Sequence, residues 1–386
     1  MIDREYNDDM RSTLIHDTAI QAHLQDVLNF FLQGITIDQI FLVNSGHIND
    51  TYRVHVTNHK SSNTYILQKI NTYVFKAPEK LMENMIRVTS HIARKLEVRG
   101  CDPSRRVSSL KQGRDGNYCL YTESGEVWRL MGFIYDTHAY DEALSESHAY
   151  EAAKAFGMFQ SMLIDLEEPE LHMTIPDFHT TPVWFARLEQ SIEENKAGTR
   201  DNCQAEINFA LARKEITTVL ADFTKAGLMR NRPTHNDTKI NNVLLDKDTG
   251  EGICVIDLDT VMPGLPLYDF GDCVRSTART GAEDEKDLNI IRMDCGMFEA
   301  ITRGYLEAAG SGLTELEKKH LAFSAKLITF EIGIRFLADY LNGDVYFKTS
   351  RPGQNLDRAR VHFTLIQSME QQESRMKEIV DRYCSA

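Results

Sequence analysis

The 386 residues predict an α+β fold of two lobes, a small antiparallel β-sheet lobe followed by a mostly helical one. Three observations carry this. Between Ile35 and Gln68, and again from Arg106 to Met131, apolar residues recur at every second position, the period of a half-buried strand. From Ala143 to the C-terminus they recur three and four apart, as on an amphipathic helix, except in one central stretch, 234–272. A polar segment, 135–142 (YDTHAYDE), separates the two regimes and sets the lobes at 1–134 and 135–386.

The elements follow in order. Residues 17–33 carry Ile20, Leu24, Val27, Leu28 and Phe31 at helical spacing. A meander follows through 40–43 (IFLV), 51–56 (TYRVHV) and 65–67 (YIL). Its first turn is 44–50 (NSGHIND). Pro78 and Glu79 suit the start of a helix over 78–97. Strands are expected at 106–110, 118–122 and 126–131, the last running into Gly132, Phe133 and Ile134. Helices are expected at 145–166, 182–195, 204–226, 284–309, 314–342 and 354–382. Between them, 243–245 and 252–256 form a hairpin turned by DKDTG, whose Asp and Gly suit the bend. No 20–50-residue period recurs, so the chain is not a repeat array.

Composition narrows the function. A net charge of −14 without a dense Lys/Arg cluster excludes nucleic acid as a partner and leaves a cationic substrate open. Hydrophobic content of 42% and charged content of 26% are those of a globular protein, and no apolar run is long enough to span a bilayer. The charged N-terminus MIDREYNDDMRS lacks the apolar core of a signal peptide, which predicts a cytoplasmic location. The cysteines number seven, an odd count, with no C-x-x-C pair, and read as reduced thiols.

The central stretch carries the chemistry. His235, Asp237 and Asn242 stand as H-x-D-x-x-x-x-N, and fifteen residues after Asn242 comes Asp257-Leu258-Asp259, closing the apolar run Ile253–Ile256. A phosphoryl-transfer site needs a carboxylate to accept the proton of an attacking hydroxyl, and oxygen ligands to hold Mg²⁺ against the phosphates of ATP. Asp237 fits the base, Asn242 and Asp257 the metal ligands. Singly, each residue reads as a turn former; together, at this spacing, they favour the chemistry. Two roles are open to Asp259, a second metal or phosphate contact or a hydrogen-bonded brace.

Three further segments bear on the nucleotide. The 44–50 turn, with Ser45 and Gly46, lies where backbone N–H groups would cover phosphates, although alone it reads as a plain hairpin loop. Protein kinases place a phosphate-gripping lysine on the third strand of such a meander. Gln68 falls at that position and Lys69 one residue later, on the opposite face. Either Gln68 supplies a neutral hydrogen bond or a bulge turns Lys69 inward, with Glu83 as the partner such a lysine would take. The strand end at Met131, Phe133 and Ile134 suits a hinge that hydrogen-bonds adenine.

HNDTKINN (235–242), VIDLDTVMPG (255–264) and LYDFGD (267–272) resemble the kinase family that includes aminoglycoside phosphotransferases and choline kinases, and within it the N-acetylhexosamine 1-kinases. The likeness runs from Asn44 to the C-terminal helix. It implies a protein-kinase-like fold, ATP and Mg²⁺ as cofactors, and a small-molecule sugar, GlcNAc or GalNAc, phosphorylated on its anomeric hydroxyl. It implies that His235 and Asp269 brace the catalytic loop, so that Asp269-Phe270-Gly271 is not the metal-binding D-F-G of protein kinases. It also implies that His47, Arg335 and Tyr346 reach the sugar, the last two within GIRFLADYLNGDVYF (333–347). From the residues alone, His47 is a loop histidine in solvent. The stripe Glu331, Arg335, Asp339, spaced by four, faces either water or a pocket. Two rivals stand beside this reading: the same fold with an amino-alcohol or aminoglycoside acceptor, and a nucleotide-binding pseudokinase, suggested by the irregular Gln68-Lys69 position.

Overall fold

The computed structural model describes residues 12–44, 48–59, 61–166 and 169–385. Two compact units divide the chain, Met1–Tyr135 and Asp136–Ala386.

The first unit contains β1 (Ser12–Leu14), α1 (Thr18–Phe31), β2 (Thr36–Val43), β3 (Asp50–Thr57), β4 (Ser62–Ile70), α2 (Pro78–Val98), β5 (Leu120–Tyr121) and β6 (Val127–Gly132). Its six strands form one antiparallel sheet in the order β1-β2-β3-β4-β6-β5. Asp17 starts α1 by accepting the amide N–H groups of Ala19 and Ile20 at 2.8 and 3.1 Å. The apolar stripe of α1, Leu24, Val27, Leu28 and Phe31, is buried against Ile40, Val54, Leu67, Trp128 and Leu130 on one face of the sheet. Residues 106–110 do not form the expected strand. Only Leu110 bridges to Met131, because the carbonyl of Pro103 takes the N–H groups of Arg106 and Val107 and winds the chain into a turn.

The second unit opens with β7 (Thr137–His138), α3 (Glu146–Leu163), α4 (Thr181–Glu194), α5 (Gln204–Leu211) and α6 (Val219–Lys225). Then come β8 (Arg232–Thr234), β9 (Val243–Asp246), β10 (Gly252–Val255), β11 (Met262–Gly264) and α7 (Pro266–Thr277). It closes with α8 (Cys295–Ala309), α9 (Glu315–Lys319), α10 (Leu321–Asn342), α11 (Gln354–Gln371) and α12 (Glu373–Cys384). Several of these helices are shorter than the periodicity predicts. The 204–226 stretch is interrupted by a 3₁₀ turn at Lys214–Thr218. The 314–342 stretch breaks at His320, and the 354–382 stretch at Gln372, whose Nε2 is drawn off to the carbonyl of Met293. The helix expected from 284 begins only at Cys295, where Asp294 accepts the N–H groups of Gly296 and Met297.

Two small sheets frame the central stretch: the three-stranded β10-β9-β7, in which β9 and β10 form a hairpin ribbon, and the ribbon of β8 with β11, with Thr234 opposite Met262. Helix α7 then lies close against α10. A Cβ on Gly271 would stand 2.5 Å from the carbonyl oxygen of Ser324, so only glycine permits the approach. Among the described residues no helix is long and apolar enough to cross a membrane.

Candidate active site

The loop between β8 and β9 holds Asp237 in a frame of buried hydrogen bonds. Asp269, in the first turn of α7 and fully buried, accepts the backbone N–H of His235 at 3.0 Å and of Asn236 at 2.7 Å. Burial pushes the Asp269 carboxyl up, and these amide bonds work against that. The Asn236 side chain donates to the carbonyls of Thr234 and Thr260, tying the loop to both sides of the β8/β11 ribbon. Asn236 is left-handed, with φ of 65°, a conformation a non-glycine residue holds only when its surroundings demand it. His235 is buried between Phe156 and Phe159. Its Nε2 donates to the carbonyl of Ile256 at 3.0 Å, and its Nδ1 accepts the Asp237 N–H at 3.3 Å.

Asp237 itself is half-buried, its side chain 22% exposed. Lys239 Nζ lies 2.8 Å from its Oδ1, and Asn242 Nδ2 lies 3.0 Å from its Oδ2. Burial opposes ionisation, but the Lys239 ammonium, with Arg275 behind it, outweighs burial and holds the carboxyl below its usual range. The Asp237 carboxyl is therefore ionised at neutral pH.

Asn242 and Asp257 come together at the end of the β9/β10 ribbon. Val243 pairs with Val255, and one residue further the Ile256 N–H donates to the Asn242 carbonyl at 2.9 Å. The Asn242 amide N–H₂ is spent on Asp237, which turns its oxygen the other way. Asp257 is exposed and left-handed, φ 58°, whereas Asp259, two residues on, is only 3% exposed. One amide oxygen and one exposed carboxylate are hard oxygen donors. They fit Mg²⁺, which keeps several waters and takes few protein ligands beside substrate phosphates. Among the described residues there is no group of three or more His, Cys, Asp or Glu that could hold a metal ion.

The stripe on α10 is not a solvent-facing ladder: Glu331, Arg335 and Asp339 are 0%, 6% and 4% exposed. Asp339 collects the backbone N–H groups of Val345, Tyr346 and Phe347 at 2.8–3.0 Å and so shapes the segment carrying Tyr346. The Arg335 guanidinium is walled by aromatic rings, 4.2 Å from the Trp184 centroid and 5.4–5.9 Å from those of Phe178, Tyr346 and Phe347. Its Nε is buried without a hydrogen-bond partner, and the nearest carboxylate oxygen, on Glu331, is 3.9 Å from Nη1. Tyr346 keeps 57% of its surface exposed.

In the first unit, the register runs unbroken through Gln68 and Lys69 and sets them on opposite faces of the sheet. Gln68 lies opposite Thr51 and Arg129, and Lys69 opposite Asp50 and Trp128, with no bulge to turn the lysine inward. Lys69 falls on the α1 face. There it pairs with Asp50 at 3.0 Å and Glu126 at 3.6 Å rather than with Glu83. Burial alone would lower its pKa; the bond to Asp50 more than offsets this and raises it. Gln68 falls on the α2 face, where its Oε1 receives Nη2 of the buried Arg129 at 2.6 Å and its Nε2 donates to Thr51. Met131 and Ile134 are buried, and the Phe133 N–H reaches the Thr64 carbonyl at 3.4 Å. Ser45, Gly46 and His47 lie outside the described residues.

A family model described as the phosphotransferase enzyme family, APH, matches residues 40–309. The chain belongs to that family. Solved structures with the same APH-type, kinase-like α+β fold include a microcompartment-associated aminopropanol kinase, 15% identical over 92% of this chain and 98% of its own, at a TM-score of 0.61. A spectinomycin phosphotransferase in complex with ADP and spectinomycin is 13% identical over 94% and 98%, at 0.55. A choline kinase from Cryptosporidium parvum Iowa II is 14% identical over 96% and 100%, at 0.54. At such identities the likeness concerns the fold.

For an APH phosphotransferase, three features of the site had not been singled out in the sequence. Lys239, on both oxygens of Asp237, was signalled by its place two residues after that carboxylate. His179 joins Glu331 to the loop that carries Asp237, and Phe178 with Trp184 encloses Arg335. Both lie in or just after an irregular segment remote in sequence from what they touch, and no periodicity marks them.

Proposed function

We propose that the protein transfers the γ-phosphate of ATP to the anomeric hydroxyl of an N-acetylhexosamine, GlcNAc or GalNAc, giving the sugar 1-phosphate. It would act in the cytoplasm, with 1–134 as nucleotide lobe and 135–386 as catalytic lobe. Asp237 orients the hydroxyl and takes its proton. A carboxylate held this acidic suffices because the anomeric hydroxyl is more acidic than other sugar hydroxyls, and because the proton moves late in a loose transition state. Asn242 and Asp257 hold Mg²⁺, which when bound neutralises charge on the phosphoryl oxygens. Lys239 stands ready to exchange Asp237 for a phosphate oxygen. Gln68, not Lys69, offers the neutral hydrogen bond on the nucleotide side, and Met131, Phe133 and Ile134 line the adenine.

The observation that carries the acceptor class is Arg335. An aromatic box of this kind would recognise a quaternary or primary ammonium group, but here the protein's own guanidinium fills it. What the box offers a ligand is ring faces for C–H surfaces and, from a guanidinium whose nearest carboxylate stands 3.9 Å from Nη1, N–H donors for hydroxyls or an amide carbonyl. That suits an N-acetylated sugar better than an amino alcohol. The net charge of −14 and the amino-alcohol and aminoglycoside kinases among the solved relatives keep the cationic acceptor as the second reading. The joint presence of Asp237, Asn242 and Asp257 speaks against a pseudokinase.

An ADP-release screen over GlcNAc, GalNAc, choline, aminopropanol and an aminoglycoside separates these readings, and phosphorus NMR of the product separates a 1-phosphate from a 6-phosphate. Asp237→Asn is expected to retain Mg-ATP binding and to lose about 10²–10⁴ in kcat. Normal turnover of GlcNAc by that variant, or a preference for an ammonium acceptor in the wild type, overturns the proposal.

A further inference from the structure

His179 precedes α4 and is buried, 7% exposed. Its Nδ1 lies 2.8 Å from Oε1 of Glu331 on α10, and its Nε2 lies 3.0 Å from the backbone carbonyl oxygen of Asn236. Both neighbours are acceptors only. A neutral imidazole carries one N–H, so one of the two contacts would set lone pair against lone pair. The doubly protonated ring satisfies both.

The Asn236 carbonyl is one half of the peptide bond whose N–H belongs to Asp237, and that N–H is held by His235 Nδ1. The peptide plane entering the proposed base is thus pinned at its oxygen by His179 and at its nitrogen by His235. Glu331, in turn, receives Thr181 Oγ1 at 2.6 Å on its other oxygen and lies one helical turn from Arg335. We propose that His179 is a positioning residue: as an imidazolium between Glu331 and the Asn236 carbonyl, it fixes the orientation of Asp237 and ties it to the helix that carries Arg335. This rests on Asp237 being the base of a phosphotransferase and not on which acceptor is used.

The groups around the ring agree with the charge. Phe178 and Thr181 flank it on its own segment, Glu331 and then Arg335 face it from α10, and the ring of Tyr268 lies 5.2 Å away on α7 with the Asp272 carboxylate beyond. Burial opposes protonation, but Glu331 and, more distantly, Asp272 outweigh it, so the imidazole is raised above its ordinary value. Tyr268 is driven upward by burial and stays neutral. Because the folded pKa is raised, the clamp is intact below it and is lost as pH rises through it.

Two independent measurements test this. In protein labelled with ¹⁵N-histidine, one of the thirteen histidines is assigned to His179 by its loss in His179→Gln. It is expected to show two protonated ring nitrogens at pH 7.5. Kinetically, with the acceptor that turns over or with basal ATP hydrolysis if none does, His179→Gln is expected to lower kcat about 100-fold, as misplacement of a catalytic group does, with KM for ATP unchanged. Glu331→Gln removes the counter-charge and should move the alkaline limb of the kcat profile at least one pH unit toward acid. A neutral tautomer in the wild type at pH 7.5 overturns the proposal even if His179→Gln fails to fold. So does a pH profile that Glu331→Gln leaves in place. If no acceptor is found the functional reading fails, while the NMR result still decides the state of His179.

Discussion

Replacing Arg335 by methionine tests the acceptor site most directly, because structure and binding respond differently. In the free protein Arg335 gains a desolvated cation–π contact with Trp184 at 4.2 Å, worth about 2 kcal/mol, and a long pair with Glu331 at 3.9 Å. Against this stands the desolvation of a guanidinium whose Nε has no partner, several kcal/mol for a buried ion. Methionine has similar reach, and its thioether packs on aromatic rings for about 0.3–1.5 kcal/mol. Glu331 keeps His179 and Thr181. The folding free energy should therefore change by no more than about 2 kcal/mol. The bound acceptor fares otherwise. Two hydrogen bonds from a charged donor contribute about 1.5–3 kcal/mol each, so their removal costs about 10²–10⁴ in kcat/KM for the acceptor. Coupled ADP release, with acceptor varied at saturating ATP and then the reverse, should show this loss with KM for ATP unchanged, alongside a denaturant midpoint close to wild type. An acceptor kcat/KM within threefold of wild type would refute the assignment of Arg335 to substrate.

Three other outcomes are expected. Gly271→Ala forces a methyl to within 2.5 Å of the Ser324 carbonyl and 2.8 Å of Ile328 Cγ1, so the α7/α10 contact should open at a cost of about 1–3 kcal/mol, read from urea unfolding. Lys69→Met should leave KM for ATP unaltered while Gln68→Leu raises it; the opposite pattern would mean that Lys69 turns to the nucleotide after all. Burial, aided by Arg275 and Arg279, holds His362 down at about 3. The native state then refuses a proton that the unfolded chain accepts below pH 6.5. Its contribution is full above 6.5 and is lost as pH falls toward 3, about 2 kcal/mol of it between pH 6.5 and 5. The unfolding free energy of His362→Gln should fall less steeply over that interval, and an identical slope would exclude this source.

The parts legible in the sequence are those where neighbours in the chain are neighbours in space. Asp237 and Asn242 sit on one loop, and Asp257 follows at the end of the hairpin that loop enters, so their spacing alone proposes a site. Helices α1, α2 and α3 show their buried stripes for the same reason. Where a distant partner decides, periodicity misleads. The side chain of Gln372 is drawn to the Met293 carbonyl where the stretch breaks into α11 and α12, and Asp294 delays α8 by capping it. The β8/β11 ribbon was invisible because it is three residues long and sets Pro233 opposite Pro263, neither of which can donate to a ladder. Nor could spacing tell that the α10 stripe faces inward, since a row of Glu, Arg and Asp reads the same against water as against a box of rings.

The box around Arg335 is assembled from two separate stretches of chain. Arg335, Tyr346 and Phe347 come from 331–347, Phe178 and Trp184 from 178–184, and Glu331 is the rivet between them through His179 and Thr181. A chimera that imports only the α10 segment from a relative would therefore arrive without the donors its carboxylate needs, and one that imports only the α4 segment would leave Glu331 stranded. Should the box bind the acceptor as proposed, exchanging acceptor preference between relatives calls for both segments to be transplanted together, with His179 as the seam to preserve.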